Sequence, residues 1–311
     1  LFSDMPVQAP AAVLMVRPAN FGFNTATAPS NAFQQRSDAP VEQVHAQALA
    51  EFDAMLQQLR SEHIEVHVVS DTPHPITPDA IFPNNWVSFH PDGRVILYPM
   101  MAPNRRWERR PDILEQLRAH FQIVAVDDLS EAESRGKFLE GTGSLVFDYV
   151  NHRVYALRSP RTHEDLVHLV AAKLHMAPVI FDAWDERGQP IYHTNVLMCV
   201  GTCFAVICLD AIPGDRDQET LLSAFADTGH KVIAISFRQM AAFAGNMMEV
   251  VNARGEHLVL LSRTAYEALV PGQRQALQTF ARLVPISIPT IEQIGGGSVR
   301  CMVAGIFLPT L

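Results

Sequence analysis

Phe82-Pro83-Asn84-Asn85-Trp86-Val87-Ser88-Phe89-His90-Pro91-Asp92-Gly93-Arg94-Val95-Ile96-Leu97-Tyr98 reads as one β-hairpin with its approach. Two apolar runs flank His-Pro-Asp-Gly, whose proline and glycine supply the backbone angles of a tight turn. The same arrangement recurs at 144–157, 196–209 and 247–261 and, as a single strand, at 301–307. Starts at 86, 144, 196, 247 and 301 give steps of 58, 52, 51 and 54 residues, which is a repeat. An amphipathic helix and a strand precede each start. Periodicity predicts helices over 41–60, 111–120, 163–175, 216–228 and 271–282, followed by strands over 64–69, 121–126, 178–183, 231–235 and 284–288. In the first helix Val44, Ala48, Phe52, Met55, Leu56 and Leu59 share a face; Pro111 suits a first helical turn, and Thr162 is the expected N-cap of the third helix. The strand Ala12 to Val16 is placed to close the fifth unit. A closed ring of five units in one domain, residues 1–311, follows from this rhythm. A doubly wound sheet would not need a hairpin in every unit, and no Gly-x-Gly-x-x-Gly follows the early strands.

Composition agrees with a folded protein and narrows its partners. The 311 residues are 48% hydrophobic and 18% charged, with a net charge of -9. Such a chain buries a real core and offers no basic footprint for nucleic acid or anionic lipid. The longest apolar run, Val196 to Leu209, is broken by Gly201-Thr202 and is far short of a bilayer span. Four cysteines make no disulfide framework, and no export signal is evident, so a reducing cytoplasm is expected; Leu1 in place of Met reads as a trimmed terminus or a non-native remnant. Cys199, Cys203 and Cys208 fit no metal spacing and read as small buried hydrophobes. No metal and no cofactor are expected. A homo-oligomer is left open.

The chemistry-bearing residues sit at one phase of the repeat. Ahead of the first strands come Phe82-Pro83-Asn84-Asn85, Leu139-Glu140-Gly141-Thr142-Gly143, Tyr192-His193-Thr194-Asn195, Ala244-Gly245-Asn246 and Gly295-Gly296-Gly297-Ser298-Val299-Arg300-Cys301. Around an axis, equal phase means equal radius and height, so five scattered segments become one site holding a thiol, an imidazole, a carboxylate and carboxamides. That is the inventory of a cysteine nucleophile with acid/base support. Cys301 is the candidate nucleophile, His193 the acid/base and Glu140 their carboxylate partner. Asn246 reads as a structural amide in a turn, and Arg106, Arg109 and Arg110 as a solvated charge cluster.

These segments resemble the pentein superfamily of guanidine-modifying enzymes, whose fold is a five-bladed α/β propeller with pseudo-fivefold symmetry. Val16-Arg17-Pro18-Ala19-Asn20-Phe21-Gly22-Phe23, Phe82-Pro83-Asn84-Asn85-Trp86 and Ala244-Gly245-Asn246-Met247 are similar to the CtlX-type citrulline-utilization hydrolases. The resemblance implies that Cys301, His193 and Glu140 are catalytic. Pro78-Asp79-Ala80-Ile81-Phe82 resembles a dimethylaminohydrolase segment whose aspartate contacts the substrate α-amino group. Ala102-Pro103-Asn104-Arg105 and Ser159-Pro160-Arg161-Thr162 resemble segments whose arginines hold the α-carboxylate. Asp79, Arg105 and Arg161 would then clamp the head group of a free amino acid, the small-molecule partner expected.

Departures from that pattern bear on the substrate. Guanidine enzymes of the superfamily carry carboxylates where this chain has Asn84 and Asn85, and arginine deiminases have His-x-Asp where it has His193-Thr194-Asn195. An amide offers a donor and an acceptor, which suits a neutral ureido group better than a guanidinium. Charged hydrogen bonds contribute roughly 1.5–3 kcal/mol each, enough to reverse a preference. The expectation is hydrolysis of citrulline to ornithine, carbon dioxide and ammonia. The alternatives are a guanidine hydrolase of the arginine deiminase or dimethylarginine dimethylaminohydrolase type, and a non-catalytic binding protein.

Overall fold

Each hairpin unit folds into the same three-stranded motif in a computed structural model that describes residues 7–311. The first strand pairs antiparallel with the second, and the second pairs parallel with a third that lies beyond a helix. In chain order the motifs are Val87–Phe89, Arg94–Leu97 and Ala125–Asp128; Val146–Asp148, Arg153–Leu157 and Ala177–Phe181; Met198–Val200, Phe204–Ile207 and Lys231–Ala234; and Met248–Val251, His257–Ser262 and Arg282–Ile286. The fifth joins strands far apart in sequence: Ala304–Ile306 runs antiparallel to Ala12–Arg17, which runs parallel to Glu65–Ser70. The strand at Ala12 thus closes the fifth unit as its sequence suggests. The single pair Ile306↔Phe89 merges the first and fifth motifs into one six-stranded sheet, so the described residues form four sheets instead of five separate ones.

Helices cross between the second and third strands, as a parallel pairing requires. Val41–Ser61 is the longest and buries Val44, Ala48, Phe52, Met55 and Leu59, the apolar face read from its periodicity. Pro111–Leu117, Glu164–Lys173, Asp215–Asp227 and Pro271–Gln278 take the equivalent places. Among the second strands Phe204–Ile207 is buried along its whole length, paired on one edge with Met198–Val200 and on the other with Lys231–Ala234. No described helix is long and apolar enough to cross a membrane.

Several local expectations change. The strand expected over 121–126 begins only at Ala125; before it the chain is held by unlike partners, with Gln122 N donating to Pro309 O and Val124 N to Gly93 O. Cys301 lies in a 3-10 turn, Val299–Met302, instead of a strand starting at 301. His163, not Thr162, occupies the N-cap of Glu164–Lys173, because Thr162 is bridged to Leu139 and Ser159. Cys203 is exposed, whereas Cys199 and Cys208 are buried. Arg106 and Arg109 both pair with Glu133, and Arg110 with Asp112, so this cluster is an ion-pair network and not a freely solvated patch. The terminus at Leu1 lies outside the described residues.

Candidate active site

Four of the five approaches to a first strand contain a single helical turn: Pro83–Asn85, Gly141–Ser144, Thr194–Leu197 and Val299–Met302. Glu140 and His193 are the N-cap residues of their turns. These turns converge. Cys301, His193, Asp79, Asn85, Arg105 and Arg161 line one narrow cavity, whose wall also includes Gly295, Gly296 and Gly297. Both predicted clamp arginines therefore face the site. Gly296 has φ +64, and a Cβ there would meet Asn31 Nδ2 and Gln34, so the loop passes the wall only as glycine.

The His193–Glu140 pair is set by burial and charge. His193 Nε2 lies 2.8 Å from Glu140 Oε2, and Arg161 donates to the same oxygen from 3.3 Å. Burial alone would raise the Glu140 carboxyl, but Arg161, His193 and Arg105 outweigh it and hold the group well below the usual carboxylate range. An ionised Glu140 only accepts hydrogen bonds, so the proton between the two sits on His193 Nε2 and leaves Nδ1 as the free acceptor. Burial pushes the imidazole down to about 4 against the pull of Glu140, so it is neutral near pH 7. Gly143 makes room for it: a Cβ there would fall 2.7 Å from His193 Nδ1 and 2.5 Å from Asn85 Nδ2.

The thiol is held by amides. Asn246 Nδ2 lies 3.3 Å from Cys301 Sγ and Asn195 Nδ2 lies 3.6 Å from it. Burial raises the Cys301 thiol pKa, opposed by hydrogen bonds from Ser298, Asn246 and Asn195 and by Arg300. Asn246 is thus in contact with the sulfur, a role its turn-like sequence setting concealed. Asn195 stands behind the sulfur, while Asn84 is outside the cavity lining: its carbonyl accepts from Thr142, and its amide has no described partner.

Elsewhere on the cavity wall, Asp79 Oδ2 accepts from Asn24 Nδ2 at 2.8 Å and Thr27 Oγ1 at 3.2 Å, while Oδ1 is buried without a described partner. Arg161 donates to Ser30 Oγ at 2.7 Å and Thr27 O at 3.1 Å and lies over the Tyr192 ring. Arg105 is more committed. Its Nε and Nη2 donate to the two oxygens of Glu108 at 2.9 and 2.8 Å, and its Nη1 donates to Asn85 Oδ1 at 2.8 Å. Sequence reading missed Glu108 and the contributions of Asn24, Thr27 and Ser30. Only Glu108 carried a local signal, its three-residue spacing from Arg105 on a helical turn.

Comparison with known proteins places this arrangement. The N-terminal domain of ArgZ, an arginine dihydrolase from the ornithine-ammonia cycle in cyanobacteria, was solved as a cysteine-to-serine variant bound to substrate; it superposes with TM-score 0.72 at 17% identity, covering 96% of this chain and 99% of that one. The apo structure of ArgZ gives 0.74 at 16% identity over 96% of this chain, which spans only 41% of that ArgZ chain. A dimethylarginine dimethylaminohydrolase adduct with S-methyl-L-thiocitrulline gives 0.62 at 15% identity, covering 94% and 98% of the two chains. No curated protein sequence matches. The sequence profile described as N,N dimethylarginine dimethylhydrolase, eukaryotic, matches residues 17–308, nearly the whole chain. A mixed α/β fold shared with ArgZ and the dimethylaminohydrolase, and a family match of that extent, mean that the chain belongs to the N,N dimethylarginine dimethylhydrolase family of the pentein superfamily of guanidine-modifying enzymes, and is a hydrolase of non-peptide C–N bonds.

Proposed function

We propose that this hydrolase acts on the ureido group of citrulline, or a close ureido amino acid, to release ornithine, carbon dioxide and ammonia. In this reading residues 1–311 form one catalytic domain whose five motifs are the blades of a propeller, working in the reducing cytoplasm. The Cys301 thiol passes its proton to His193 Nδ1 and attacks the ureido carbon. The C–N bond to the ornithine side chain breaks as His193 returns that proton to the leaving amine, giving a carbamoyl thioester. Water, deprotonated by His193, then displaces the thiolate, and the carbamate decomposes to carbon dioxide and ammonia. Asp79 Oδ1 receives the α-ammonium, and Arg161, exchanging its bonds to the loop at Thr27 and Ser30, receives the α-carboxylate.

One observation carries the choice of substrate. Asn85 Nδ2 is a buried donor without a described partner on the cavity wall, and it shares the space beside Gly143 with the imidazole. A ureido oxygen satisfies it. A guanidinium has only donors and would leave it unpaired, at a cost of about 1–3 kcal/mol. A guanidine substrate is the second reading. The family supports it, and so does the charge count at the site: Asp79, Glu108 and Glu140 against Arg105 and Arg161 leave one excess carboxylate. The test is binding in a Cys301→Ser background, which separates affinity from chemistry. Asn85→Asp is expected to weaken citrulline by about tenfold and to strengthen arginine, because the new carboxylate repels a ureido oxygen and pairs with a guanidinium. An unchanged preference would leave Asn85 with no part in selection.

A further inference from the structure

Glu108 touches neither the thiol nor the imidazole, yet it is among the most deeply buried carboxylates of the protein, with 1% of its side chain exposed. Both of its oxygens accept from Arg105, along the edge formed by Nε and Nη2. That side-on pairing fixes the plane of the guanidinium, and the backbone carbonyls of Asp79 and Phe82 hold Nη2 from the far side at 3.4 and 3.3 Å. The remaining nitrogen, Nη1, reaches Asn85 Oδ1 at 2.8 Å.

A guanidinium has no acceptor, so the amide atom facing it must be the oxygen. The two ends of an asparagine amide are nearly identical in shape and opposite in hydrogen-bonding sense, so a neighbour that only donates decides which end faces the substrate. From these contacts we propose that Glu108 is a positioning residue: through Arg105 it locks the amide of Asn85 with the oxygen outward and the N–H2 group toward the reacting end of the substrate. Donor and acceptor would exchange places if Arg105 could swing away. Specificity for the reacting group is then set two residues away from it, by a carboxylate that no substrate touches. The inference rests on the reading of Asn85 as the residue that senses the reacting group, and it gives Arg105 a task beyond that of a head-group clamp.

A carboxylate in place of Asn85 has two equal oxygens and no orientation to lock, so the roles can be separated in a double-mutant cycle. Dissociation constants for citrulline and for arginine are measured in a Cys301→Ser background, with Glu108→Gln introduced beside Asn85 and beside Asn85→Asp. The amide introduced by Glu108→Gln would set a donor against one guanidinium N–H and loosen the fork. The ratio of the two affinities is expected to move by about tenfold toward indifference when Asn85 is present, and by less than about twofold beside Asn85→Asp. An equal movement in both backgrounds would overturn the proposal, since Glu108 would then act through charge or packing alone. Should Glu108→Gln not fold, Glu108→Asp, one methylene short of the bidentate pairing, is read for the same two outcomes. If the parent protein prefers arginine, the ureido reading fails while the coupling between Glu108 and Asn85 is still measured.

Discussion

At the scale of single residues, the site combines a thiol raised by burial, an imidazole lowered by burial and a carboxylate kept ionised by an arginine. Cys301→Ser and His193→Ala are each expected to lower turnover by at least about two decades with the circular dichroism spectrum unchanged. The raised thiol pKa predicts that alkylation of Cys301 by a small electrophile is slow at pH 7 and rises about tenfold per pH unit well past pH 8, because the thiolate is the reactive form. A rate already flat above pH 7 would contradict it. On the acid side, activity should hold until the imidazole titrates near its lowered value of about 4, since only the neutral ring accepts the proton. Arg161→Ala should weaken free amino acids and spare a urea lacking the α-carboxylate, whereas Arg105→Ala should weaken both, because Arg105 also orients Asn85. That Cys301, His193 and Glu140 lie together was legible in the sequence because they occupy the same phase of the repeat, and the structure brings them to one place. Glu108 and Asn24 were not, since their roles come from packing against Arg105 and Asp79 and carry no phase of the repeat.

At the scale of elements, the one-turn helices ahead of the first strands are what aim the functional side chains. Gly143 shows the tolerance they allow. Its φ is not left-handed, so alanine fits the backbone, but the added methyl would displace His193 Nδ1 and Asn85 Nδ2. Gly143→Ala should therefore cost at least about tenfold in kcat with a small change in melting temperature. A normal kcat would show that the imidazole does not need that space. Apolar periodicity located the helices well, and Val41–Ser61 differs from its expected span by one residue at its end. It failed at 121–126, where alternation at Phe121, Ile123 and Ala125 reports extended backbone but not a shared ladder: Phe121 bridges to Thr310, and the sheet is joined only at Ala125. It also could not distinguish a strand from the 3-10 turn at Cys301, because both bury the same apolar residues.

For the whole molecule, strands far apart in sequence meet in one motif. Ala12–Arg17 lies between Ala304–Ile306 and Glu65–Ser70, with Val13, Leu14 and Met15 fully buried. Removing the chain through Pro18 is expected to abolish cooperative thermal unfolding as well as activity, as followed by circular dichroism, because it strips a central strand and its core side chains. A truncated protein that melts like the parent would show that the fifth motif is dispensable. The account as a whole turns on which C–N bond is cut. Incubation of the intact protein with citrulline, arginine and dimethylarginine in parallel, followed by quantification of ornithine, citrulline and ammonia, decides it. The predicted result is citrulline consumed with ornithine and ammonia formed, and loss of both products in Cys301→Ser. Citrulline left untouched, or accumulating from arginine or dimethylarginine, would contradict the ureido reading.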